Sequence, residues 1–207
     1  MKEKEVIHEI EKYITKKFAF DTTGHNAEHM YRVAKMVKFL AIHEESDHFV
    51  CEISGWVHDL IDEKLTDNPE REKQQMLQLL QKLQLSQQQI VAIFEAIITV
   101  SFRKQKTPTT KVGQIVQDAD RLDALGAIGI ARAFSYGGSK HRPIYKGEER
   151  TDDQSTVQHF YDKLLQLKEQ MHTTTAKKIA NDRHEFLHTF LEQFKREWYF
   201  LDEGNFV

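Results

Sequence analysis

The sequence has few of the residues that interrupt helices or crosslink a chain. Its 207 residues include only nine glycines, three prolines and one cysteine. Cys51 has no partner for an intramolecular disulfide, which excludes a disulfide-stabilised fold, and no reactive-thiol motif surrounds it, so we expect a small buried apolar side chain. The chain also lacks the run of about 18 apolar residues that a membrane-spanning helix requires.

Neither sign of charge dominates. The chain has 29 lysines and arginines and 32 aspartates and glutamates, which give a formal charge of -3. This balance provides no broad basic surface for a nucleic-acid backbone. The first thirteen residues, MKEKEVIHEIEKY, are rich in charge and contain no apolar stretch typical of a signal peptide. We therefore expect a cytoplasmic protein that binds neither a nucleic-acid polymer nor a membrane, and the sequence leaves monomer and homodimer equally open.

Apolar residues recur at spacings of three and four along nearly the whole chain, which is the period of an α-helix. With 40% apolar and 29% charged residues, this pattern predicts an all-α fold in one domain over 1–207. Caps, prolines and apolar stripes set the predicted helices: 3–18, from the turn at 21–23 to about 44, 46–61, 69–83, 86–100, one long helix over 112–134, and the C-terminal helices 154–167 and 175–200.

Residues 135–153 break the helical pattern. They include Tyr136-Gly137-Gly138, Pro143 and Gly147 among many charges. Ordered loops of this length more often serve function than connection. We therefore predict a lid or wall over a site, between the long helix and the C-terminal helices.

Histidines and aspartates occur at spacings suited to metal binding. His25, His29 and Arg32 follow one another at intervals of four and three, so they share one face of the second helix. His58 and Asp59 are adjacent near the end of the third helix, where side chains diverge by about 100° and could grip one ion from two sides.

Asp120 occupies an apolar position in the stripe of the predicted long helix. A carboxylate in that setting needs a cation or several donors. A metal would satisfy it, and so would a salt bridge to Arg32 or Arg121. Asp118 is the rival carboxylate, and the apolar stripe favours Asp120.

Taken together, His29, His58, Asp59 and Asp120 predict a mixed nitrogen and oxygen site for one divalent metal. Mn²⁺ is the leading choice, with Mg²⁺, Fe²⁺, Co²⁺, Ni²⁺ and Zn²⁺ as alternatives. Such a site suits phosphoester hydrolysis, which needs cations and donors for the substrate. The candidate substrate-binding residues are His25, Arg32, Arg121, Arg132, Tyr136, Lys140 and Arg142. A helix cap for His25, a structural ion pair for Arg121 and solvated charges in the loop are the competing interpretations.

Three stretches around these residues resemble the HD-domain superfamily of metal-dependent phosphohydrolases. They are GHNAEHMYRV, GWVHDLIDE and QDADRLDALGAIGIARAFSYGG, and they are similar to the stand-alone bacterial HD hydrolases of comparable length. The resemblance covers about 22–147 and implies an all-helical HD domain with one divalent metal on His29, His58, Asp59 and Asp120. The usual Asp before the first ligand region is replaced by Asn26.

The resemblance also implies a reaction. Asp62 and Glu63 match an acidic pair that some relatives use to steer water, and a solvated helix end is the alternative interpretation. The family branch that these stretches resemble includes enzymes that hydrolyse nucleoside triphosphates to monophosphate and pyrophosphate, so the resemblance implies a small phosphorylated metabolite as the partner, first of all a nucleotide. Phosphomonoester hydrolysis, alarmone pyrophosphate hydrolysis, a non-catalytic nucleotide sensor and a metal-free helical scaffold are the alternatives.

Overall fold

Helices account for all the regular structure in the described part of the chain. The computed structural model describes residues 1–19, 26–63, 65–100, 107–147 and 154–201. Two 3-10 turns, Leu164–Gln166 and Lys168–Gln170, join the last two helices. The helices are α1 Glu3–Lys17, α2 Ala27–His43, α3 His48–Val57, α4 Pro69–Lys82, α5 Gln87–Ile97, α6 Lys111–Asp123, α7 Gly126–Ser139, α8 Thr156–Asp162 and α9 Thr174–Trp198. The all-α prediction is confirmed, whereas a single domain over the whole chain stays a prediction.

Side-chain caps set the start of several helices. Asn26, Asn68, Ser86 and Thr110 each accept a hydrogen bond from the backbone N–H three residues later, which satisfies an amide that has no partner inside the helix. Asn26 therefore has a structural role at the start of α2. The turn at 21–23, predicted to cap this helix, lies outside the described residues.

The predicted long helix over 112–134 is wrong, because two helices occupy this stretch. Helix α6 ends at Asp123, and α7 begins at Gly126, whose φ of +70° suits glycine. Leu125 between them is buried. Burial of Leu125 and the left-handed turn at Gly126 redirect the chain, so the stripe that looked continuous belongs to two different helices.

The predicted loop over 135–153 begins later than expected. Helix α7 continues through Ser139, and Gly137 lies so close to α8 that an added Cβ would be 2.1 Å from the Thr156 hydroxyl oxygen. Glycine here thus serves close packing within a helix. The chain leaves the helix at Lys140 and His141, the latter with a φ of 54°, and residues 148–153 lie outside the described residues.

Two other helices are shorter than predicted. Helix α3 ends at Val57 instead of reaching 61, and His58 is its C-terminal cap. Helix α8 covers only Thr156–Asp162 before the 3-10 turns. The first difference matters for function, because His58 and Asp59 lie in the turn that follows α3.

Helix α3 lies at the centre of the fold. Every residue from Phe49 to Val57 is buried, between α2 on one side and α1, α5 and α6 on others. At Gly55 the helices α2 and α3 approach so closely that an added Cβ would be 2.8 Å from the Ala34 Cα. This contact holds the end of α3 against α2 and beside α6. Among the helices of the described residues, none has the length and apolar character needed to cross a bilayer.

Candidate metal centre

Four side chains from α2, α6 and the turn after α3 converge. His29 Nε2 lies 3.5 Å from an oxygen of Asp59 and 3.5 Å from Asp120 Oδ1. His58 Nε2 lies 3.5 Å from the other Asp59 oxygen and 3.8 Å from Asp120 Oδ1. One donor atom each from His29, His58 and Asp120 falls within 4.8 Å of the others. This is the spacing of groups that share one ion.

Three of the four side chains are buried and one is partly exposed. His29, His58 and Asp59 are buried, whereas the Asp120 side chain is 30% exposed. A ligand from solvent would therefore approach over Asp120.

The His29 ring is oriented by Asp123. Its Nδ1 donates to Asp123 Oδ2 at 2.8 Å, because an ionised carboxylate can only accept. The Nε2 atom, on the other side of the ring, then faces Asp59 and Asp120. A histidine that ligates a metal commonly has this carboxylate behind it.

The His58 ring is oriented by the end of α3. Its Nδ1 donates to the Gly55 carbonyl at 2.8 Å, one of the last-turn carbonyls that lack a partner within the helix. His58 Nε2 is buried and makes no hydrogen bond with any residue that the structure describes. A buried acceptor of this kind, directed at two carboxylates, fits a divalent cation, and the nitrogen and oxygen donors suit Mn, Fe, Co, Ni or Zn.

Charges around Asp123 determine its ionisation. Burial alone would raise its pKa, but hydrogen bonds from His29 and Arg32 and the charge of Arg132 hold the pKa of the Asp123 carboxyl well below its usual range. For His29, burial lowers the pKa, but hydrogen bonds to Asp123 and Asp59 outweigh it, and the pKa of His29 is raised. A proton and a metal therefore compete for the Nε2 atom of His29.

The two carboxylates of the Asp-Ala-Asp sequence diverge. Asp118 is fully buried and accepts hydrogen bonds from the backbone N–H groups of His172 and Thr173 and from the Thr173 hydroxyl, at 2.8 to 2.9 Å. Asp120 joins the histidines. The apolar-stripe argument fails, because Asp118 is the more buried carboxylate. Asp120 is distinguished instead by its proximity to both imidazoles.

Arg32 and Arg132, predicted to bind substrate, both contact Asp123. Arg32 donates through Nε and Nη2 at 2.7 and 2.9 Å, and Arg132 through Nη1 at 2.7 Å. The structure does not bring Arg121 to the cluster, because its guanidinium donates to the Gln170 carbonyl. Arg121 lies on α6 and Arg132 on α7, so the two arginines belong to different helices.

The remaining predicted residues that the structure describes fall in two places. At the end of α7, Lys140 Nζ and Arg142 Cζ lie 5.7 and 5.6 Å from the centre of the Tyr136 ring. Asp62 is half-buried and Glu63 exposed, in the turn after Asp59, and the Asp62 N–H donates to the Asp59 carbonyl at 3.1 Å.

His25 lies outside the described residues. Sequence reasoning missed the roles of Asp123 and Gly55. For Asp123 a signal was present, since it follows Asp120 by three residues and shares its side of the helix.

Comparison with known proteins gives a family match over the part of the chain that holds the cluster. The model of the HD domain family matches residues 26–125, which include all four predicted ligands. The uncharacterized protein YpgQ of Bacillus subtilis is 35% identical over 201 residues, covering 95% of this chain and 96% of its own.

Solved structures are similar over nearly the whole chain. Bacillus subtilis YpgQ in complex with ADP has 34% identity and a TM-score of 0.81, covering 92% of this chain and 97% of its own. A structure from Bacillus thuringiensis described as an HD-superfamily hydrolase has 35% identity and a TM-score of 0.80, covering 96% and 99%. The chain therefore belongs to the HD-domain family, as an HD-superfamily hydrolase.

Proposed function

We propose that this hydrolase cleaves small phosphorylated metabolites, with nucleoside triphosphates giving monophosphate and pyrophosphate as the leading reaction. The observation that carries the proposal is the convergence of two imidazole Nε2 atoms on Asp59 and Asp120, with the Asp120 side chain partly exposed to solvent. The complex of the related YpgQ with ADP supports a nucleotide as the ligand.

His29, His58, Asp59 and Asp120 would hold one divalent ion, with Mn²⁺ as the first choice. Such an ion supplies Lewis acidity to a phosphoryl oxygen and makes water a better nucleophile. The ring contacts of Asp123 and Gly55 keep both Nε2 atoms directed at the site before any metal arrives. The protein thus avoids reorganising its ligands on binding.

Other residues would handle the substrate and the attacking water. Asp62 and Glu63 would orient water, since they follow the predicted ligand Asp59 closely in the turn after α3. Tyr136, Lys140 and Arg142 present two cations and a ring at one end of α7, where they would contact phosphates or the base.

The test is turnover on a substrate panel. Purified protein would be incubated with Mn²⁺, Mg²⁺, Co²⁺ or Zn²⁺ and with nucleoside triphosphates, diphosphates, monophosphates and a guanosine alarmone, and phosphate and pyrophosphate would be measured separately. We expect pyrophosphate from triphosphates and none from Asp59→Asn. Asp162→Asn, an exposed carboxylate at the end of α8, is the matched control and should retain activity.

Other results would change the assignment. Phosphate from monophosphates, or pyrophosphate from the alarmone alone, would replace the leading reaction with one of the alternatives. Folded, metal-loaded protein that binds nucleotide but turns over no substrate would overturn the enzymatic proposal in favour of a nucleotide sensor.

A further inference from the structure

Asp123 and its two arginines form a buried junction directly behind the metal centre. Asp123 Oδ2 accepts from His29 Nδ1, Arg32 Nη2 and Arg132 Nη1, and Oδ1 accepts from Arg32 Nε. These donor contacts, at 2.7 to 2.9 Å, occupy both oxygens. The carboxylate therefore cannot rotate without breaking charge-assisted bonds, which are about twice as strong as neutral ones.

The junction joins three helices. Asp123 is the last residue of α6, Arg132 comes from α7, and His29 and Arg32 are one turn apart on α2. Arg132 also donates to the Asp123 backbone carbonyl at 3.3 Å. The break between α6 and α7 allows this contact, because it turns α7 back toward the end of α6.

We propose that Asp123 is a positioning residue of the metal centre, and that Arg32 and Arg132 act on metal affinity through it. Held by the two guanidinium groups, Asp123 fixes the His29 proton on Nδ1 and the ring plane, so that Nε2 faces Asp59 and Asp120. This assignment differs from the predicted role of both arginines as substrate ligands. It rests on the metal-binding part of the proposed function and does not depend on the substrate.

The experiment measures metal affinity without nucleotide. Mn²⁺ would be titrated into the full chain and free Mn²⁺ followed by electron paramagnetic resonance. Loss of an outer partner of a metal-bound histidine typically costs 10- to 100-fold in affinity, so we expect a loss of about that size for Asp123→Asn. For Arg132→Gln, which leaves the Arg32 contacts in place, we expect a loss of about 3- to 10-fold.

Asp118→Asn is the matched control. Asp118 lies on the same helix, is as buried as Asp123 and accepts hydrogen bonds from the start of α9, without contacting His29. We expect the Mn²⁺ affinity of Asp118→Asn to stay within twofold of that of the unsubstituted protein. A loss equal to that of Asp123→Asn would mean that general loosening of α6 explains both, and would overturn the proposal.

A second readout reports the ring itself. Long-range ¹H–¹⁵N spectra of the metal-free protein, recorded at alkaline pH where the His29 ring carries a single proton, distinguish the two nitrogens of the neutral imidazole. We expect His29 in the Nδ1–H form in the original chain and a mixture of tautomers in Asp123→Asn. If Asp123→Asn does not fold, Arg132→Gln decides by its Mn²⁺ affinity.

The outcomes separate this inference from the proposed function. Unchanged affinity in both Asp123→Asn and Arg132→Gln would overturn the inference while leaving the metal centre intact. No Mn²⁺ binding by the original chain would overturn both. Normal metal binding without nucleotide hydrolysis would overturn the proposed reaction alone.

Discussion

Asp118 and Asp120, two residues apart on α6, should give opposite results when each is changed to asparagine. Asp118 is fully buried and accepts from two backbone amides and one hydroxyl. In Asp118→Asn, the charge that strengthens these bonds is lost and the new amide group faces a donor. We expect a loss of about 3 kcal/mol, since bonds to charged groups are worth roughly 1.5 to 3 kcal/mol each and some will re-form.

Asp120→Asn should behave differently, because the Asp120 side chain is 30% exposed and its Oδ1 lies 3.5 and 3.8 Å from the two imidazole Nε2 atoms. Without metal we expect a change within about 0.5 kcal/mol. In the presence of metal, Asp120→Asn should be less stable than the unsubstituted protein. At 100 times its Kd, a metal stabilises the original chain by about 2.7 kcal/mol, and Asp120→Asn should lose most of this gain.

Thermal unfolding followed by circular dichroism, in chelator and in Mn²⁺, measures both effects. For a chain of this size about 1 kcal/mol corresponds to roughly 2 to 4 °C in Tm. Asp118→Asn should unfold about 6 to 12 °C lower in chelator and keep the Mn²⁺ shift, whereas Asp120→Asn should keep its Tm in chelator and lose a shift of about 5 to 11 °C. Loss of the Mn²⁺ shift in Asp118→Asn, with its retention in Asp120→Asn, would refute the reasoning.

Three further predictions concern stability and reactivity. Gly55→Ala should lower the free energy of unfolding, measured in urea, by about 1 to 3 kcal/mol, because the new Cβ meets the α2 backbone. Gly138→Ala, whose new Cβ would have nothing within 4 Å, should leave stability unchanged or raise it. Equal losses in the two variants would contradict the packing argument. Burial alone would raise the pKa of Glu44, but the hydrogen-bonded Lys111 ammonium helps to lower it to about 2. Glu44→Gln should therefore lower the free energy of unfolding by about 1 kcal/mol at pH 7, and this loss should shrink as the pH falls from about 4.5 toward 2. A loss that grows on acidification would contradict the prediction. Burial raises the pKa of the Cys51 thiol to about 11. A chromogenic disulfide reagent should therefore detect one thiol per chain only after unfolding. Rapid reaction of the native protein at pH 8 would show that Cys51 is accessible and would contradict this prediction.

Helix type was predictable from the sequence, but several helix ends were not. Periodicity of three and four depends on one buried face, and α2, α4, α5 and α9 follow it closely. Periodicity does not reveal that a stripe passes from one helix to another, as it does at Leu125 and Gly126. Gly137 suggested a loop, yet it lies within α7 because Thr156 leaves no room for a side chain.

The candidate site was also predictable only in part, because its contacts join residues that are distant in the sequence. His58 and Asp59 stand out as neighbours in the sequence, and His29 and Asp120 stand out as polar residues near apolar stripes. Which carboxylate meets the imidazoles depends on the direction in which α6 presents Asp118 and Asp120. The partners of Arg32 and Arg132 depend on Asp123, 91 residues from one and nine from the other.

The sequence by itself determined an all-helical HD-family fold and the residue types able to bind a divalent metal, because apolar period, caps and motif are local properties. Tertiary structure alone decided how α2, α6 and the turn after α3 meet, since that depends on the close contact at Gly55 and on the break at Gly126. It also separated the acids of α6: Asp118 holds the start of α9, Asp120 faces the histidines, and Asp123 lies behind His29 with two arginines. These assignments follow from packing between distant helices, which no local pattern records.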